Sequence, residues 1–597
     1  EDDAFEVPQR NEYRYLVQED EEEEVQYVRH RHYISPFLVL SKRCIFLICL
    51  GVAALLALAA YLGYVAQTLP PGLAQVLTDC GEFRGKHENG AYSFKGIPFA
   101  APPVGERRWA PPSDPPCKPG VTDATRFRSV CSQVQPMSSA GKVVGQEDCL
   151  FVNVWTPTLR PDAALPVMVW IHGGSLQMFS GGEPGYSPTE KLAADTQLVY
   201  VSFNYRLNAF GFLALEVLRE GSPRNTSGNY GFLDQIAALK WVQRNIRGFG
   251  GDPGRVTIFG QSSDGGGTSV WTLMMSPLAK GLFHAAVDMS GSYVLNATLE
   301  KAESDNLVFL KKTGCTDLAC LRRLTMRQVL QKRLVWKIIH HISMFHLFSI
   351  LRQDEVTMSR IRIQSHMFGS KSREMWQQLS LIIYVYFLMN PGHETKVFFS
   401  PVLQISEWTW GDYSWFVTEK LQSFGPGLPK DALDLYPSSA PCPTTVRCPE
   451  RAFTTMVSDI RVTCPNNDLA RRAAAALSSP VYRYVVTHTP SGPVNTSNGL
   501  LPFPSRFSFH CLDVLAFFGG LDRFLAKPLS PQDRSFQQLF THHLVNFAKT
   551  GRMEAAWPEY PSAIALLSEK LEVKKNHSST RCELWEKNGL FAYAWMN

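Results

Sequence analysis

A serine within a run of small residues is the first candidate for chemistry in this sequence. The stretch 260–267 reads GQSSDGGG, with Ser262 after its first glycine. Acyl transfer uses a serine on a tight turn between a strand and a helix, and the pattern G-x-S-x-G favours that turn because small flanking residues allow a close approach. Asp264 stands where the second glycine is expected, and its carboxylate would oppose a developing oxyanion. The sequence predicts Ser262 as nucleophile in a disturbed turn, with Ser263 in a shifted register as the alternative.

The segments around this serine predict alternating strands and helices. Residues 167–171 and 198–204 are near-continuous apolar runs, as expected of strands buried on both faces of a parallel sheet. Apolar residues recur at helical spacing within 228–249, and residues 255–259 begin another strand. From residue 80 to about 325 this alternation predicts a mostly parallel central sheet with helices on both faces. Ser262 would then follow a strand and precede a helix.

Length and charge exclude some classes of function. The chain has 597 residues, of which 45% are hydrophobic and 19% are charged, so it can bury a large core. Its net charge of +5 arises from 59 basic and 54 acidic residues, a balance that does not indicate a nucleic-acid partner.

The N-terminal region predicts a membrane anchor. Residues 44–66 form an uncharged apolar run that is long enough, as a helix, to cross a bilayer. Lys42 and Arg43 lie directly before it, which places the N-terminus in the cytoplasm. We therefore expect a disordered cytoplasmic tail (1–43), a transmembrane helix that contacts the lipid bilayer (44–66) and a linker (67–79). This describes a type II protein of the plasma membrane with an extracellular C-terminal domain; a cleaved signal peptide is the alternative.

Cysteines and glycosylation motifs agree with that topology. Eleven of the 13 cysteines follow the apolar run, where an oxidising compartment permits disulfides. Four Asn-x-Ser/Thr motifs, which predict a glycoprotein, also follow it: Asn225, Asn296, Asn495 and Asn576.

Residues 330–397 break the regular order. Their apolar pieces have no clean periodicity, and a loop of this length is unusual inside a compact domain. We interpret the segment as an insert or a mis-assembled part of the sequence.

Several motifs, taken in order, resemble the carboxylesterase type B/cholinesterase family. They are FKGIPFAAPPVGERRWAPP (94–112), EDCLFVNVWTP (147–157), WIHGG (170–174), FNYRLNAFGFL (203–213), GNYGFLDQIAALKWVQRNIRGFGGDPGRVTIFG (228–260), VNFAKTG (545–551) and WPEY (557–560). The resemblance implies an α/β-hydrolase fold for residues 80–597. The predicted membrane topology is similar to that of the type II neurotactin-like members.

The resemblance also implies the remaining site residues. His510, in FSFHCLDVLAFFGG, matches the position of the family's catalytic base, and Asp412, in GDYSWFV, the position of its acid. Asp412 could equally be a surface aspartate in a turn. Gly174 and Ser175 match the oxyanion-hole run, to which the N–H of Ser263 would be added. Such a site needs no metal or cofactor.

Disulfide pairs follow from the resemblance as well. It implies Cys131 with Cys149, Cys464 with Cys582 and Cys315 with Cys320; Cys80 with Cys117 and Cys442 with Cys448 are further candidates. Cys511 is left over.

Two functions are open at this point. One is a recognition or adhesion domain with weak or lost catalysis, which the anchor and the disturbed turn favour. The other is an active membrane-anchored carboxylic-ester hydrolase, which the retained Ser262 and His510 favour. The corresponding partners are an extracellular protein or a small ester substrate, with a homodimer as a further possibility. The sequence-based preference is for weak or lost catalysis.

Overall fold

The computed structural model describes twelve stretches of the chain. They are residues 42–67, 72–135, 141–223, 225–291, 298–330, 365–370, 407–442, 447–495, 507–525, 527–575, 577 and 579–589. Within them, the side chains of residues 42–45, 59–67, 263, 264, 365–370, 461 and 579 are not described. The chain divides into two compact units, Glu1–Pro70 and Pro71–Asn597.

The first unit contains one described helix, α1 (Lys42–Gln67). Eight large apolar side chains on it are between 50% and 67% exposed: Phe46, Leu47, Ile48, Leu50, Val52, Leu55, Leu56 and Leu58. Among the described residues of the whole chain, no helix meets the length and hydropathy needed to cross a membrane.

The second unit is built on a large twisted sheet. Its strands and those of a small two-stranded sheet are β1 (Leu73–Thr78), β2 (Gly81–Glu88), β3 (Ala91–Pro98), β4 (Val121–Asp123), β5 (Gln133–Val134), β6 (Val143–Val144), β7 (Phe151–Thr156), β8 (Leu165–Ile171), β9 (Val199–Phe203), β10 (Gly251–Gln261), β11 (Ala285–Met289), β12 (Ser365–Ser370), β13 (Val481–Val486), β14 (Ile564–Leu567) and β15 (Leu571–Lys574).

The centre of the main sheet is parallel and its edges are antiparallel. The strand order is β1-β2-β3-β7-β9-β8-β10-β11-β12-β13-β14-β15, with β4 beside β2, and β5 pairs with β6. Neighbours from β9 to β14 run parallel. Side chains alternate between two buried cores: Val167 and Val169 pack in one, and Met168 and Trp170 in the other. Strands buried on both faces explain the near-continuous apolar runs in the sequence.

Helices cover both faces of this sheet, and further helices form a separate lobe. In the described residues they are α2 (Glu190–Thr196), α3 (Asn208–Phe212), α4 (Glu216–Glu220), α5 (Tyr230–Asn245), α6 (Gly267–Met275), α7 (Leu299–Thr313), α8 (Leu318–Arg323), α9 (Met326–Leu330), α10 (Trp410–Leu421), α11 (Leu428–Leu435), α12 (Cys448–Ser458), α13 (Cys464–Ala476), α14 (Leu512–Phe517), α15 (Leu521–Phe524), α16 (Pro531–Thr550) and α17 (Ser579–Lys587). Helix α5 belongs to one core, whereas α14 and α16 belong to the other. The predicted mostly parallel sheet with helices on both faces is confirmed.

A separate apolar cluster forms a lobe of helices α10, α11, α12 and α17. Trp408, Tyr413 and Trp585 are buried in it. The disulfide Cys464–Cys582 lies in the same cluster and closes a loop with a sequence separation of 118. A long closed loop removes much conformational entropy from the unfolded chain, which favours the folded lobe.

The structure forms every disulfide pair named from the sequence. These are Cys80–Cys117, Cys131–Cys149, Cys315–Cys320, Cys442–Cys448 and Cys464–Cys582. Cys511 is buried and is not part of a disulfide. Of the irregular segment 330–397, the structure describes Leu330 and the backbone of β12, which pairs with β11 and β13; the rest lies outside the described residues, as do the tail 1–41 and residues 68–71 of the linker.

Candidate active site

Ser262 occupies a sharp turn between a strand and a helix. It directly follows β10 and is 3% exposed. Its φ is +87°, a backbone conformation that residues other than glycine rarely adopt. Strained backbone of this kind persists where the surrounding fold enforces it, and it is the conformation expected of a nucleophile on a strand-to-helix elbow.

The backbone after Ser262 continues as one wide helical turn. The N–H of Gly267 bonds to the carbonyl of Ser262, an i to i+5 bond, and the wide turn spans Ser262–Gly266 before α6 begins. Such π-turns are rare, and they are frequently found at functional sites. The close-packed positions are taken by the next glycines: a Cβ on Gly266 would overlap the carbonyl oxygen of Ile171, and one on Gly265 would lie 2.9 Å from the Cα of Gly173. Asp264 therefore does not stand at these two contact points, and its side chain lies outside the description.

The predicted oxyanion-hole residues lie against this elbow. Gly174 and Ser175, at the end of the turn after β8, both have positive φ, at +95° and +56°. The carbonyl of Gly174 accepts bonds from the N–H groups of Gln177 (2.9 Å) and Met178 (3.0 Å), so the turn is held by the protein itself. The third predicted donor, the N–H of Ser263, belongs to the wide turn.

A buried, neutral histidine hydrogen-bonds to the backbone of the oxyanion-hole turn. His172 is fully buried, and its Nδ1 lies 2.9 Å from the carbonyl oxygen of Gly173. Its ring stacks on Tyr205 at a centroid distance of 4.4 Å. Burial lowers the pKa of His172 to about 4, so the ring stays neutral near pH 7 and Nδ1–H donates to the carbonyl.

His510 lies next to the residue that precedes the serine. His510 is completely buried, in the loop just before α14. Its Nε2 is 2.5 Å from the side-chain nitrogen of Gln261. The hydroxyl of Tyr186 donates to the side-chain oxygen of the same Gln261. The structure thus brings His510 to the elbow of Ser262, but gives its Nε2 a glutamine partner.

Asp412 does not reach this histidine, which corrects the prediction that it orients the base. It is an exposed residue in the first turn of α10. Its Oδ2 accepts bonds from the N–H and hydroxyl of Thr409, while the Thr409 hydroxyl accepts from the N–H of Asp412. These bonds lower the pKa of Asp412, the side-chain bond from Thr409 being the largest cause. Asp412 is a helix-capping residue in the lobe, which is the surface role left open from the sequence.

Two buried carboxylates near the elbow were missed by sequence reasoning. Asp513, three residues after His510, is fully buried and accepts a 3.0 Å bond from the hydroxyl of Tyr484. Asp288 on β11 accepts a 2.6 Å bond from the N–H of Gly291, and burial raises its pKa well above the usual range. Asp288 pairs in register with Gly260, two residues before Ser262. The only sequence feature that points to either carboxylate is the short distance along the chain between Asp513 and His510.

The structure describes two of the four predicted glycosylation sites. Asn225 and Asn495 are exposed. Asn296 and Asn576 lie outside the described residues.

Among the residues that the structure describes, one group of histidines and a carboxylate could hold a metal ion. It consists of His542, His543 and Glu554, on α16 and the loop that follows it.

A family model covers most of the chain, including the residues described above. The sequence-family model described as "Carboxylesterase family" matches residues 73–585. The chain belongs to the carboxylesterase family. This match includes the elbow, the oxyanion-hole turn and His510.

Individual esterases align with all or part of this region. Para-nitrobenzyl esterase of Bacillus subtilis is 33% identical over 496 residues, which cover 81% of this chain and 92% of that protein. Fumonisin B1 esterase of Sphingopyxis macrogoltabida is 42% identical over 260 residues, covering 43% of this chain and 46% of that protein. The solved carboxylesterase of Geobacillus stearothermophilus superimposes with a TM-score of 0.64 at 26% identity, covering 86% of this chain and 99% of its own. The α/β-hydrolase fold of the family is therefore present here.

Proposed function

We propose that this chain is a serine carboxylic-ester hydrolase of the carboxylesterase family. The observation that carries the proposal is the positive φ of Ser262 at the end of β10. A serine held in a strained conformation at a strand-to-helix elbow is costly for folding, and it is retained where the hydroxyl must be presented to a substrate. This proposal reverses the preference for weak or lost catalysis that the predicted anchor and the disturbed GQSSDGGG turn suggested, because the wide turn places Gly265 and Gly266 at the crowded contact points.

The proposed reaction uses three groups of this site. The hydroxyl of Ser262 attacks the ester carbonyl, and His510 accepts its proton and returns it to the leaving alcohol. The backbone N–H groups of Gly174, Ser175 and Ser263 stabilise the oxyanion. Water then releases the acid by the same route, so no cofactor enters the reaction.

The substrate class follows from the relatives. The names of the similar proteins are those of hydrolases of a nitrobenzyl ester, a fumonisin, pyrethroids and acylcarnitines. Their shared chemistry supports a small carboxylic ester as substrate of this chain.

A fluorophosphonate probe tests the proposal, because it captures only activated serines. The purified protein would be labelled, digested and analysed by mass spectrometry. We expect the probe on the peptide that contains Ser262. A folded protein without label on this peptide would contradict the esterase proposal.

The second candidate function, cell-surface recognition with weak or lost catalysis, is favoured by two observations. Gln261 contacts the Nε2 of His510, the atom that must accept the serine proton, and Asp412 lies away from the base. A single hydrogen bond of this kind is worth about 0.5–1.5 kcal/mol net, which corresponds to a rate effect of about tenfold at most. The glutamine contact alone therefore weakens catalysis but does not abolish it.

Replacing Gln261 measures this effect. In Gln261→Met the side chain keeps its length but cannot donate to His510. We expect probe labelling of Ser262 to become about fivefold faster, since about 1 kcal/mol of competing hydrogen bonding is lost. The thermal midpoint should fall slightly, because the buried Tyr186 hydroxyl loses its acceptor. Labelling at the wild-type rate or slower would show that Gln261 does not hold the base away from the serine.

We also propose that residues 44–66 anchor the chain as a type II membrane protein with an extracellular, glycosylated C-terminal domain, in the manner of the neurotactin-like members. The uncharged run, the preceding Lys42 and Arg43, and the exposed apolar side chains of α1 support this proposal.

Membrane extraction and glycosidase treatment test the anchor. We expect the protein to remain in membranes after alkaline carbonate, and to lose mass on glycosidase treatment unless the four asparagine sites are replaced. Leu55→Arg combined with Leu56→Arg places two charges in the run, at roughly 3 kcal/mol each, and should abolish insertion. The matched Leu55→Ile and Leu56→Ile variant should insert normally. Wild-type protein released by carbonate would contradict the anchor.

A further inference from the structure

Helix α16 and its following loop bring two histidines and a glutamate together. His542 and His543 are adjacent near the end of the helix, and Glu554 follows the glycine that terminates it. The ring nitrogens and carboxylate oxygen that could bind a cation all lie within 4.8 Å of one another. None of these residues belongs to the serine site.

His543 is the member of this group that requires a partner. It is 4% exposed, and among the described residues neither Nδ1 nor Nε2 has a hydrogen-bond partner. Its ring packs edge-on against Trp557 at a centroid distance of 5.4 Å. Burial lowers the pKa of His543, with the neighbouring His542 as a second cause. A buried ring with two unsatisfied nitrogens destabilises the fold unless something binds it.

The other two side chains are held beside it and remain open to solvent. The Nε2 of His542 lies 2.7 Å from Oε1 of Glu554, and their side chains are 60% and 44% exposed. The loop that carries Glu554 is tied to the helix, because the carbonyl of Arg552 accepts bonds from the side chains of Asn546 (3.2 Å) and Thr550 (2.8 Å). A cation can therefore enter from solvent to a group of side chains that the fold keeps in place.

We propose that His542, His543 and Glu554 form a binding site for a divalent transition-metal ion, with Zn²⁺ as the best match. Two imidazole nitrogens and one carboxylate are a common three-ligand set for zinc, with water in the fourth position. Ligand atoms around a tetrahedral Zn²⁺ lie about 3.3 Å apart, so rotation of the exposed His542 and Glu554 closes the site around the fixed His543. The hard cations Mg²⁺ and Ca²⁺ prefer oxygen ligands and would bind poorly.

Calorimetric titration of the metal-stripped, purified chain with ZnCl₂ tests this site. We expect one equivalent to bind with a micromolar or lower Kd, and Co²⁺ to give the visible absorption of a tetrahedral complex. Zinc should also raise the thermal midpoint, since it binds only the folded chain. MgCl₂ should produce none of these changes.

The two exposed residues of the site can be replaced to test their role in Zn²⁺ binding. His542→Ala and Glu554→Gln change surface side chains, so both should fold, and each should weaken Zn²⁺ binding at least tenfold. His87→Ala removes another exposed histidine, on β2, and should bind like the wild type. Wild-type protein that binds no Zn²⁺ would overturn the proposal, as would Zn²⁺ binding that survives when His542→Ala and Glu554→Gln are combined. Fluorophosphonate labelling in the presence and absence of EDTA separates this site from the esterase proposal, because labelling should be equal in both.

Discussion

Ser262→Ala should reduce ester hydrolysis by about 10⁴-fold to 10⁶-fold and abolish fluorophosphonate labelling. The reason is that the hydroxyl forms the covalent intermediate, and the oxyanion hole and substrate binding retain only a small part of the rate acceleration. Alanine has the same Cβ as serine, so the strain of the positive φ at this position is unchanged and the fold should persist. Steady-state hydrolysis of a p-nitrophenyl ester measures the effect.

Ser263→Ala is the matched control, because it removes the neighbouring hydroxyl from the same turn. We expect it to keep most of the activity, since only the N–H of residue 263 is proposed to contribute. If Ser263→Ala were inactive and Ser262→Ala active, the nucleophile would be Ser263 in a shifted register. If both variants hydrolysed the ester at the wild-type rate, the activity would not arise from this elbow.

Asp234→Ala should lower the free energy of unfolding by about 3–5 kcal/mol, a large part of the 5–15 kcal/mol typical of folded proteins. Asp234 on α5 binds Arg206 through two parallel bonds of 2.7 and 2.8 Å, and it also accepts from the Arg206 N–H at 3.0 Å. The two side chains are 0% and 4% exposed. Removing the carboxylate leaves a buried, uncompensated guanidinium between the segment after β9 and α5. Thermal unfolding of the purified protein measures the loss.

Two further variants isolate the cause of that loss. Arg206→Met combined with Asp234→Leu removes both charges and should recover much of the stability, because the cost arises from an unpaired buried charge. Asp195→Asn breaks the exposed pair Lys191–Asp195, whose side chains are 77% and 57% exposed, and should change stability by less than about 1 kcal/mol. A loss in Asp195→Asn equal to that in Asp234→Ala would contradict the role of burial.

The sequence by itself determined the features that depend on local pattern. The parallel sheet was predicted from the apolar runs of β8 and β9 and from the helical periodicity of α5. Both patterns can be recognised in consecutive residues, because strands buried on both faces are continuously apolar and helices repeat their apolar residues at a fixed spacing. The motifs around Cys131, Cys464 and their partners led to the disulfides that the structure forms. The strand before Ser262 and the helix after it were likewise predicted from adjacent residues.

Only the tertiary structure decided how distant residues meet. The sequence suggested that Asp264 would disrupt the elbow. In the structure the crowded positions are those of Gly265 and Gly266, because Ile171 at the end of β8 and Gly173 in the following turn lie against them. It also suggested Asp412 as the acid, whereas packing of the helical lobe makes that residue an exposed cap. Gln261 reaches His510 across 249 residues of sequence. Such contacts depend on how the sheet and its helices pack, which no local pattern specifies.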